Sequence, residues 1–385
     1  MKNGILEELD RLSALGLKRA LTKVEGPQGP RVRVDGREVL LMCSNDYLGL
    51  ADHPLVKEAA IKATERWGAG AGASRLVSGS MEPHMMLEER IRRFKGAQAA
   101  LLFNSGYSAN LGAISALADR TTEIFSDRLN HASIVDACVL SRARVRRYPN
   151  RDVDSLDRLL KASRAKKKLI VTDSVFSMDG TIAPLKEIIS LLDKYNAMLL
   201  VDDAHATGVL GSNGRGSLED LQSSNQSIIQ MGTLGKALGS FGAFIAGSKD
   251  IIEFLITKSR PFIYTTALPP SVCAAAAKAI DIIEEGPEII ERLWRNTRRL
   301  KKGLNDAGLD TMGSATPIIP VKVGDAKKTM EASGRLLEKG VFIQGIRPPT
   351  VPEGASRLRA TVSAAHTDRD IDLAVSAITE AFDEC

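Results

Sequence analysis

Lys236 lies within a run of small residues, 231–239 (MGTLGKALG), that follows an apolar stretch. Earlier in the chain, residues 199–205 (LLVDDAH) are typical of a buried strand that ends in Asp202 and His205. A single lysine beside glycines usually belongs to a solvated turn. Because a nearby strand ends in a carboxylate, the pattern instead indicates a lysine that forms a Schiff base with a carbonyl cofactor. The carboxylate would balance a positive charge on that cofactor.

A second candidate feature is the turn at residues 104–110 (NSGYSAN), between an apolar run and a helical pattern. The backbone N–H groups at a helix start suit a phosphate, although an ordinary capped helix gives the same pattern. His131 opens a later helix, again where a strand ends, and a lone histidine there is usually a cap. These features gain meaning only in combination with Lys236.

Taken together, the candidates are the groups that pyridoxal phosphate requires: a lysine, a phosphate turn, a carboxylate and two histidines. Asp202 would keep the pyridine nitrogen protonated, so that the ring acts as an electron sink. His205 would bond to the phenolic oxygen of the ring, and His131 would stack on its face. Thr233 precedes Lys236 closely enough to reach the phosphate.

Other signatures lack the context that their chemistry needs. Residues 68–73 (GAGAGA) superficially match a dinucleotide-binding motif, but they follow a helical pattern rather than a strand. The sequence after Gly235 lacks the Ser or Thr of a phosphate-binding P-loop. The five histidines show no metal-ligand spacing, so we expect no metal dependence.

The composition is that of an ordinary globular protein, with 385 residues, of which 44% are hydrophobic and 26% charged. The net charge of +5 is concentrated at 142–147 (RARVRR) and 164–168 (RAKKK), which are typical of solvated surfaces. A phosphorylated small substrate would also suit them. They carry no nucleic-acid motif, so we expect no nucleic-acid partner.

The cysteines and the N-terminus bear on the compartment. The four cysteines are scattered without CxxC spacing, which fits a reducing compartment. The first residues include acids where a signal peptide needs an apolar run, and no apolar stretch approaches the roughly 18 residues of a membrane span. We therefore expect a cytoplasmic protein without a membrane partner.

The elements that must position these residues form three regions. Residues 1–45 are predicted to be an amphipathic helix and a hairpin around Asp35-Gly36, too small to fold alone. In residues 46–286, helices of about ten to fifteen residues alternate with short apolar strands, which predicts a large α/β cofactor-binding domain with a mostly parallel sheet. Its ligand should bind at the carboxyl ends of the strands. Residues 287–385 are predicted to form a smaller C-terminal α+β domain.

Four segments carry a specific resemblance: 44–50 (SNDYLGL), 172–180 (TDSVFSMDG), 201–208 (VDDAHATG) and 232–237 (GTLGKA). They resemble the α-oxoamine synthases, a family of pyridoxal-phosphate enzymes with the aspartate-aminotransferase fold (fold type I). Members condense an amino acid with an acyl-CoA, and most also release CO₂. The resemblance extends over nearly the whole chain.

The resemblance assigns roles to individual residues. Lys236 looks like the lysine that carries the cofactor and then removes the substrate α-proton. The other catalytic positions that it implies are His131, Asp202 and His205, which also bind the cofactor. Further cofactor contacts would be Ser105, Gly106, Tyr107, Ser177, Thr233 and, from the neighbouring subunit, Thr265. That last assignment implies a homodimer with the active site at the subunit interface.

Substrate contacts are implied in the same way. Arg359 matches the arginine that binds the substrate carboxylate, a task for which the planar guanidinium suits better than a lysine. The remaining substrate contacts that the resemblance implies are Arg19, Asn45, His131, Arg347 and Thr350.

The choice of substrate rests on fewer residues. Residues 344–352 (QGIRPPTVP) resemble the biotin-pathway member of the family, which condenses L-alanine with a pimeloyl thioester. Residues 363–367 (SAAHT) also resemble a glycine-using ligase that takes acetyl-CoA, so this alternative stays open. A third interpretation is a catalytically idle protein that kept the fold, although a scaffold would not need the charged residues around Lys236. Either CoA or an acyl carrier protein would serve as the acyl donor.

Overall fold

The computed structural model describes residues 2–221 and 225–383. The helices in these ranges are α1 (Lys2–Ala14), α2 (Pro54–Trp67), α3 (Glu82–Phe94), α4 (Gly106–Leu117), α5 (Ala132–Ser141), α6 (Val153–Ala162), α7 (Leu185–Tyr195), α8 (Lys249–Lys258), α9 (Arg260–Ile263), α10 (Pro270–Glu285), α11 (Glu288–Asp306), α12 (Ala326–Glu338) and α13 (Asp368–Asp383).

The strands in the same ranges are β1 (Val24–Glu25), β2 (Arg31–Val34), β3 (Arg37–Leu41), β4 (Ala99–Phe103), β5 (Thr122–Asp127), β6 (Arg144–Tyr148), β7 (Lys167–Asp173), β8 (Ala197–Asp202), β9 (Ile228–Thr233), β10 (Ala243–Gly247), β11 (Ile318–Gly324), β12 (Val341–Phe342), β13 (Gln344–Ile346) and β14 (Ser356–Thr361).

The described chain divides into two compact units. The larger unit consists of Asp46–Ser177 and Ile182–Glu291; the smaller consists of the chain up to Asn45, Met178–Thr181 and the chain from Arg292 onward. The sequence predicted residues 1–45 as a separate region and the last boundary after residue 286. The N-terminal hairpin instead joins the smaller unit, because β3 pairs in parallel with β12.

The larger unit is built on a seven-stranded sheet in the order β4-β10-β9-β8-β7-β5-β6. The pairs from β9 to β6 are parallel, whereas β10 runs antiparallel to both β4 and β9. The predicted mostly parallel α/β fold is therefore confirmed. The sequence patterns did not predict β10, α8 or α9. For β10 the reason is that a short apolar run between glycines carries no periodic signal.

Helices cover both faces of this sheet, which explains why its strands are apolar without alternation. Along β7, Leu169 and Val171 pack into one buried cluster, and Ile170 between them packs into the other. On β8, Leu200 packs into the first of these clusters and its neighbour Leu199 into the second. Such strands are held rigidly, so the polar residues at their ends are placed accurately.

The strand register places the candidate catalytic residues at one edge of the seven-stranded sheet. Asp173 at the end of β7 is paired with Asp202 at the end of β8, and Asp202 is paired with Met231 on β9. Lys236 follows the end of β9 after a short turn. The predicted grouping at the carboxyl ends of the strands agrees with this arrangement.

The smaller unit contains a four-stranded sheet, β1-β2-β3-β12, and a three-stranded sheet, β11-β14-β13. Asp35-Gly36 forms the turn between β2 and β3, as the sequence predicted. Arg359 on the central strand β14 is paired with Pro320 on one side and Gln344 on the other. This places Arg359 in the middle of a sheet rather than on a free surface.

The buried ion pair between Lys95 and Asp203 gives the first prediction. Nζ of Lys95 lies 2.8 Å from Oδ2 of Asp203 and also contacts the carbonyl oxygen of Arg215, and both charged side chains are fully buried. We expect Lys95→Met to lower the free energy of unfolding by about 3–5 kcal/mol, because Asp203 would be left as an uncompensated buried charge. Urea unfolding of the cofactor-free protein measures the effect.

The exposed pair Lys62–Glu58 supplies a matched control, since water screens both of its charges. Lys62→Met should leave the urea midpoint nearly unchanged. Equal effects of the two substitutions would contradict the importance assigned to the Lys95–Asp203 pair.

None of the helices in residues 2–221 and 225–383 is both long and apolar enough to cross a membrane. The same residues hold no group of three or more His, Cys, Asp or Glu side chains arranged to bind a metal ion. Cys43, Cys138 and Cys273 are free thiols, and Cys385 lies outside the described residues.

Candidate active site

A cavity of about 190 Å³ lies at the carboxyl ends of β7, β8 and β9 in the larger unit. Eight of the predicted site residues line it: Gly106, Tyr107, His131, Ser177, Asp202, His205, Thr233 and Lys236. Its lining also includes Ser133 and Asp173, which the sequence did not single out. Residues that are far apart in the sequence thus meet around one space.

Asp202 is a buried carboxylate with two hydrogen-bond donors. Oδ2 accepts from Nδ2 of Asn110 at 2.7 Å, and Oδ1 accepts from the backbone N–H of Ala204 at 2.9 Å. Burial raises the pKa of Asp202, while Lys236 and Asn110 oppose the shift. The net increase in pKa means that the hydrogen-bond donors around Asp202 stabilise its negative charge less than water would. A cation placed beside this carboxylate would therefore be stabilised.

Asp173 stands next to Asp202 in the strand register, and burial raises its pKa well above the usual value. The negative charge of Asp202 raises this pKa further, because two neighbouring carboxylates repel each other. Oδ2 of Asp173 accepts a hydrogen bond from the backbone N–H of His131 at 2.8 Å. Asp173 therefore holds the start of α5 and leaves the ionised role to Asp202.

His131 is the N-cap of α5, and its Nδ1 accepts from the backbone N–H of Ser133 at 3.3 Å. The hydroxyl of Ser133 lies 2.8 Å from the same nitrogen. Because Nδ1 is an acceptor, the proton of the neutral ring sits on Nε2. Burial lowers the pKa of His131 although Asp202 opposes the shift, which favours the neutral ring at pH 7.

Asn110 connects the histidine to the carboxylate. Its Nδ2 donates to Oγ of Ser133 at 2.9 Å as well as to Asp202 at 2.7 Å. The side chain of Asn110 is fully buried on α4, so this bridge is fixed by the packing of that helix on the sheet. His131 and Asp202 thus belong to one hydrogen-bonded network.

Lys236 faces a second network. Its Nζ lies 2.8 Å from Nε2 of His205, and Nδ1 of that ring lies 2.7 Å from the hydroxyl of Tyr47. Gly239 closes the turn with φ +58°, and an added Cβ would collide with the main chain of Leu50 and Ala51. The turn that carries Lys236 therefore packs directly on the segment that follows Tyr47.

The start of α4 provides backbone donors. Ser105 caps the helix by accepting from the N–H of Ser108 at 3.1 Å, and Gly106 and Tyr107 form the first turn beside the cavity. The first N–H groups of a helix have no partner within it and attract an anion. Nearby, the hydroxyl of Thr233 donates to the carbonyl oxygen of Gly242 at 3.0 Å.

The remaining predicted residues lie elsewhere. Thr265 lines a separate small cavity in the larger unit together with His84 and Phe103. The predicted substrate-binding residues of the smaller unit form two groups. Nη1 and Nη2 of Arg359 lie 3.4 and 3.3 Å from Oδ1 of Asn45.

The second group lines a cavity of about 480 Å³ within the smaller unit. Nη2 of Arg19 donates to the hydroxyl of Thr350 at 3.1 Å, and Nη2 of Arg347 donates to the carbonyl oxygen of Lys18 at 3.0 Å. Burial lowers the pKa of Arg347, and the charge of Arg19 lowers it further. An anion between the two guanidinium groups would relieve this repulsion.

Besides Ser133, three residues that shape the larger-unit cavity were missed from the sequence: Tyr47, Asn110 and Asp173. Each lies inside a motif that was singled out, at residues 44–50, 104–110 and 172–180. Asp173 had a usable signal, because it ends an apolar strand as Asp202 does. The contacts of Tyr47 and Asn110 join distant parts of the chain and leave no local pattern.

The cavity of the larger unit fits the chemical parts of pyridoxal phosphate. Lys236 supplies a primary amine for the aldehyde, and the N–H groups at the start of α4 suit the phosphate. Burial raises the pKa of Asp202, so its carboxylate suits a protonated pyridine nitrogen. The donor set therefore matches the cofactor at three separate points.

Comparisons with known proteins agree with this fit. The family model described as "Aminotransferase class I and II" matches residues 37–378. The chain is 57% identical to the 8-amino-7-oxononanoate synthase of Geotalea daltonii over 97% of this chain and 96% of that protein. Among solved structures, a serine palmitoyltransferase variant from S. paucimobilis with a bound PLP–myriocin aldimine has a TM-score of 0.93 at 33% identity, covering 99% and 97%. The structure of the 8-amino-7-oxononanoate synthase of Francisella tularensis has a TM-score of 0.77 at 28% identity, covering 90% of this chain and 98% of that one.

The chain belongs to the class I and II aminotransferase family, whose members use pyridoxal phosphate. Its full-length curated relatives from Geotalea daltonii and Geobacter sulfurreducens are both named 8-amino-7-oxononanoate synthase. The resemblance to the α-oxoamine synthases, the fold class and the expected cofactor are thereby confirmed.

Proposed function

We propose that the protein condenses L-alanine with a pimeloyl thioester to 8-amino-7-oxononanoate, with release of CO₂ and the thiol carrier, in biotin biosynthesis. The observation that carries the proposal is the meeting of Lys236, Asp202 and His131 around one cavity. The relatives named above support the choice of substrates.

The chain's own residues would hold the cofactor at its ends. Asp202 would hold the pyridine nitrogen, the first turn of α4 and Thr233 the phosphate, and Lys236 the aldehyde carbon. Pyridoxal phosphate, when bound, supplies an electron sink next to the α-carbon of the amino acid. Ser177 and His205 also line the space that the ring would occupy.

Two residues would move protons. Once the amino acid has displaced it, Nζ of Lys236 would accept the α-proton, and His205 at 2.8 Å keeps that nitrogen directed into the cavity. His131 would present its Nε2–H to a substrate oxygen, because Nδ1 is already occupied by Ser133. Donation from a neutral imidazole suits a group on which negative charge develops.

Arg359 and Asn45 would bind the carboxylate of L-alanine. The guanidinium of Arg359 offers two N–H groups, both of which face Oδ1 of Asn45 at the long distances of 3.3 and 3.4 Å. A carboxylate is a stronger acceptor than an amide oxygen and would compete for these donors.

Arg19, Arg347 and Thr350 would bind the distal carboxylate of the pimeloyl chain. We expect Arg19→Met to lower kcat/KM for pimeloyl-CoA about 30-fold, because a hydrogen bond to a charged group is lost. Turnover of heptanoyl-CoA should be affected less than about threefold, since its acyl chain ends in a methyl group and has no carboxylate to lose. Initial rates of CoA release with both thioesters measure the difference.

Arg37→Met provides the control, because Arg37 is an exposed arginine of the same unit. It should leave the ratio between the two thioesters unchanged. An equal loss with both thioesters in Arg19→Met would contradict a role of Arg19 in binding the distal carboxylate.

We further propose that the protein acts as a cytoplasmic homodimer in which Thr265 serves the neighbouring subunit. Tyr264 beside it is 71% exposed in the single chain, and Phe241, which follows the Lys236 turn, is 55% exposed. A second copy would cover these rings. Mixing Lys236→Ala subunits with Thr265→Ala subunits should restore part of the activity, because a hybrid dimer has one intact site. Failure of every mixture to regain activity would refute the shared site.

The basic segments do not favour a particular acyl carrier. Arg144 and Arg146 lie on the edge strand β6, and both pair with the carboxylate of Glu123. In the parallel register Arg144 and Lys167 stand level with the start of β5, whereas Asp202 ends β8. Most of this positive charge therefore lies at the strand ends remote from the cavity.

The second candidate is a 2-amino-3-ketobutyrate ligase, which would use glycine and acetyl-CoA; residues 363–367 favour it. The deciding experiment mixes the protein with L-alanine or glycine and with pimeloyl-CoA or acetyl-CoA and follows CoA release. Turnover with alanine and pimeloyl-CoA alone would support the proposal. Turnover with glycine and acetyl-CoA would replace the substrates. No release with any pair would favour a carrier-protein donor or the idle scaffold.

A further inference from the structure

Both ring nitrogens of His205 have a partner. Nε2 lies 2.8 Å from Nζ of Lys236, and Nδ1 lies 2.7 Å from the hydroxyl oxygen of Tyr47. The rings of Tyr47 and His205 also meet edge to face, with centroids 6.1 Å apart and planes at 67°. The imidazole is thus contacted by an amine at one nitrogen and by a phenol at the other.

Tyr47 is itself rigidly placed. Its side chain is only 1% exposed, in a turn where the carboxylate of Asp46 accepts from the backbone N–H groups of Leu50 and Ala51 at 2.9 and 3.2 Å. The same turn touches Gly239, which closes the segment that carries Lys236. The hydroxyl of Tyr47 therefore keeps a constant position relative to His205.

A hydrogen-bond donor at Nδ1 of His205 determines whether Nε2 carries the proton of the neutral ring. A neutral imidazole carries a proton on one nitrogen and a lone pair on the other. We propose that Tyr47 is a positioning residue of the active site, whose hydroxyl donates to Nδ1 and so keeps the proton of neutral His205 on Nε2. Nε2 then offers a donor to an anionic oxygen of a bound group.

The consequence for turnover rests on the function proposed above, whereas the tautomer of His205 does not. Without the hydroxyl, Nδ1 would lose the bond from Tyr47, and the proton would be free to occupy either nitrogen. His205 would then present a lone pair to the cavity in part of the molecules, and the donor would be missing there.

The first test uses the holoenzyme with ¹⁵N-labelled histidine, because an ammonium at Lys236 in the cofactor-free protein would itself donate to Nε2. Two-bond ¹⁵N–¹H correlations identify the protonated nitrogen. The chain has five histidines, and the His205 signals are those that disappear in His205→Gln. Wild-type His205 should carry its proton on Nε2, and Tyr47→Phe should shift it to a mixture or to Nδ1. A wild-type ring protonated on Nδ1 would overturn the proposal even if the variant failed to fold.

The second test measures turnover and cofactor affinity. Tyr47→Phe should lower kcat about tenfold and weaken pyridoxal phosphate binding by a similar factor, with the KM for the amino acid changed less than about twofold. Tyr148→Phe is the control, because Tyr148 is equally buried but lies on the edge strand β6. Unchanged kcat and cofactor affinity in Tyr47→Phe would refute the positioning role. An altered tautomer in a protein without any turnover would refute the proposed function alone.

Discussion

Lys236→Ala should abolish the covalent attachment of pyridoxal phosphate and reduce turnover by a factor of about 10⁴ or more. The substitution removes both the amine that binds the aldehyde and the base that accepts the α-proton. It also removes the partner of Nε2 of His205, which lies 2.8 Å from Nζ. The measurements are the visible absorbance of the reconstituted protein and the rate of CoA release.

Chemical rescue provides the control for this prediction. The truncated side chain leaves space in a cavity of about 190 Å³, so added methylamine should enter and restore a small part of the activity. Lys249→Ala, which removes an exposed lysine of the same unit, should behave as wild type. An unchanged absorbance spectrum in Lys236→Ala would disprove the assignment of Lys236 as the cofactor lysine.

Asp202→Asn should lower kcat by a factor of about 10²–10³ while the cofactor still binds. The amide keeps the size of the carboxylate, but Asn110 and Ala204 donate to different oxygens of Asp202, so the single amide oxygen can accept only one of these two bonds. What is lost is the negative charge that would hold the pyridine nitrogen protonated. Near-normal turnover in this variant would contradict the role given to Asp202.

A stability measurement distinguishes the loss of the Asp202 charge from a failure of the Asp202→Asn variant to fold. The pKa of Asp202 is raised in the folded protein, so the unfolded chain releases this proton first as the pH increases. The Asp202 contribution to stability therefore falls as the pH rises above its unfolded value of about 3.9. In the cofactor-free state at pH 8, Asp202→Asn should be at least as stable as wild type, which a thermal melt would measure.

The alternation of helices with apolar strands predicted the parallel sheet of the larger unit, because strands covered on both faces need apolar side chains throughout. It also predicted that Asp202 and Lys236 lie at the same edge. The antiparallel strand β10 was missed because its five residues, AFIAG, show no periodicity. The smaller unit was correctly predicted to be α+β, but its hairpin was assigned to a separate region.

The grouping of candidate residues could be predicted where charged side chains stand in recognisable motifs. Lys236, Asp202, His131 and His205 all line the same cavity. Tyr47, by contrast, contacts a histidine 158 positions away, and Asn110 contacts a carboxylate 92 positions away. Such contacts depend on the order of strands in the sheet, which no local pattern encodes.

The same separations have a consequence for how the cofactor is captured during folding. The cavity is bounded by residues from 106 to 236, and its second network reaches back to Tyr47. Closing such long loops is entropically expensive and slow, so we expect these contacts to form only after β7, β8 and β9 have paired. A nascent chain that ends before β9 holds the carboxylate and both histidines but not the lysine. Capture of pyridoxal phosphate is therefore a late event, and it reports that the sheet of the larger unit is complete.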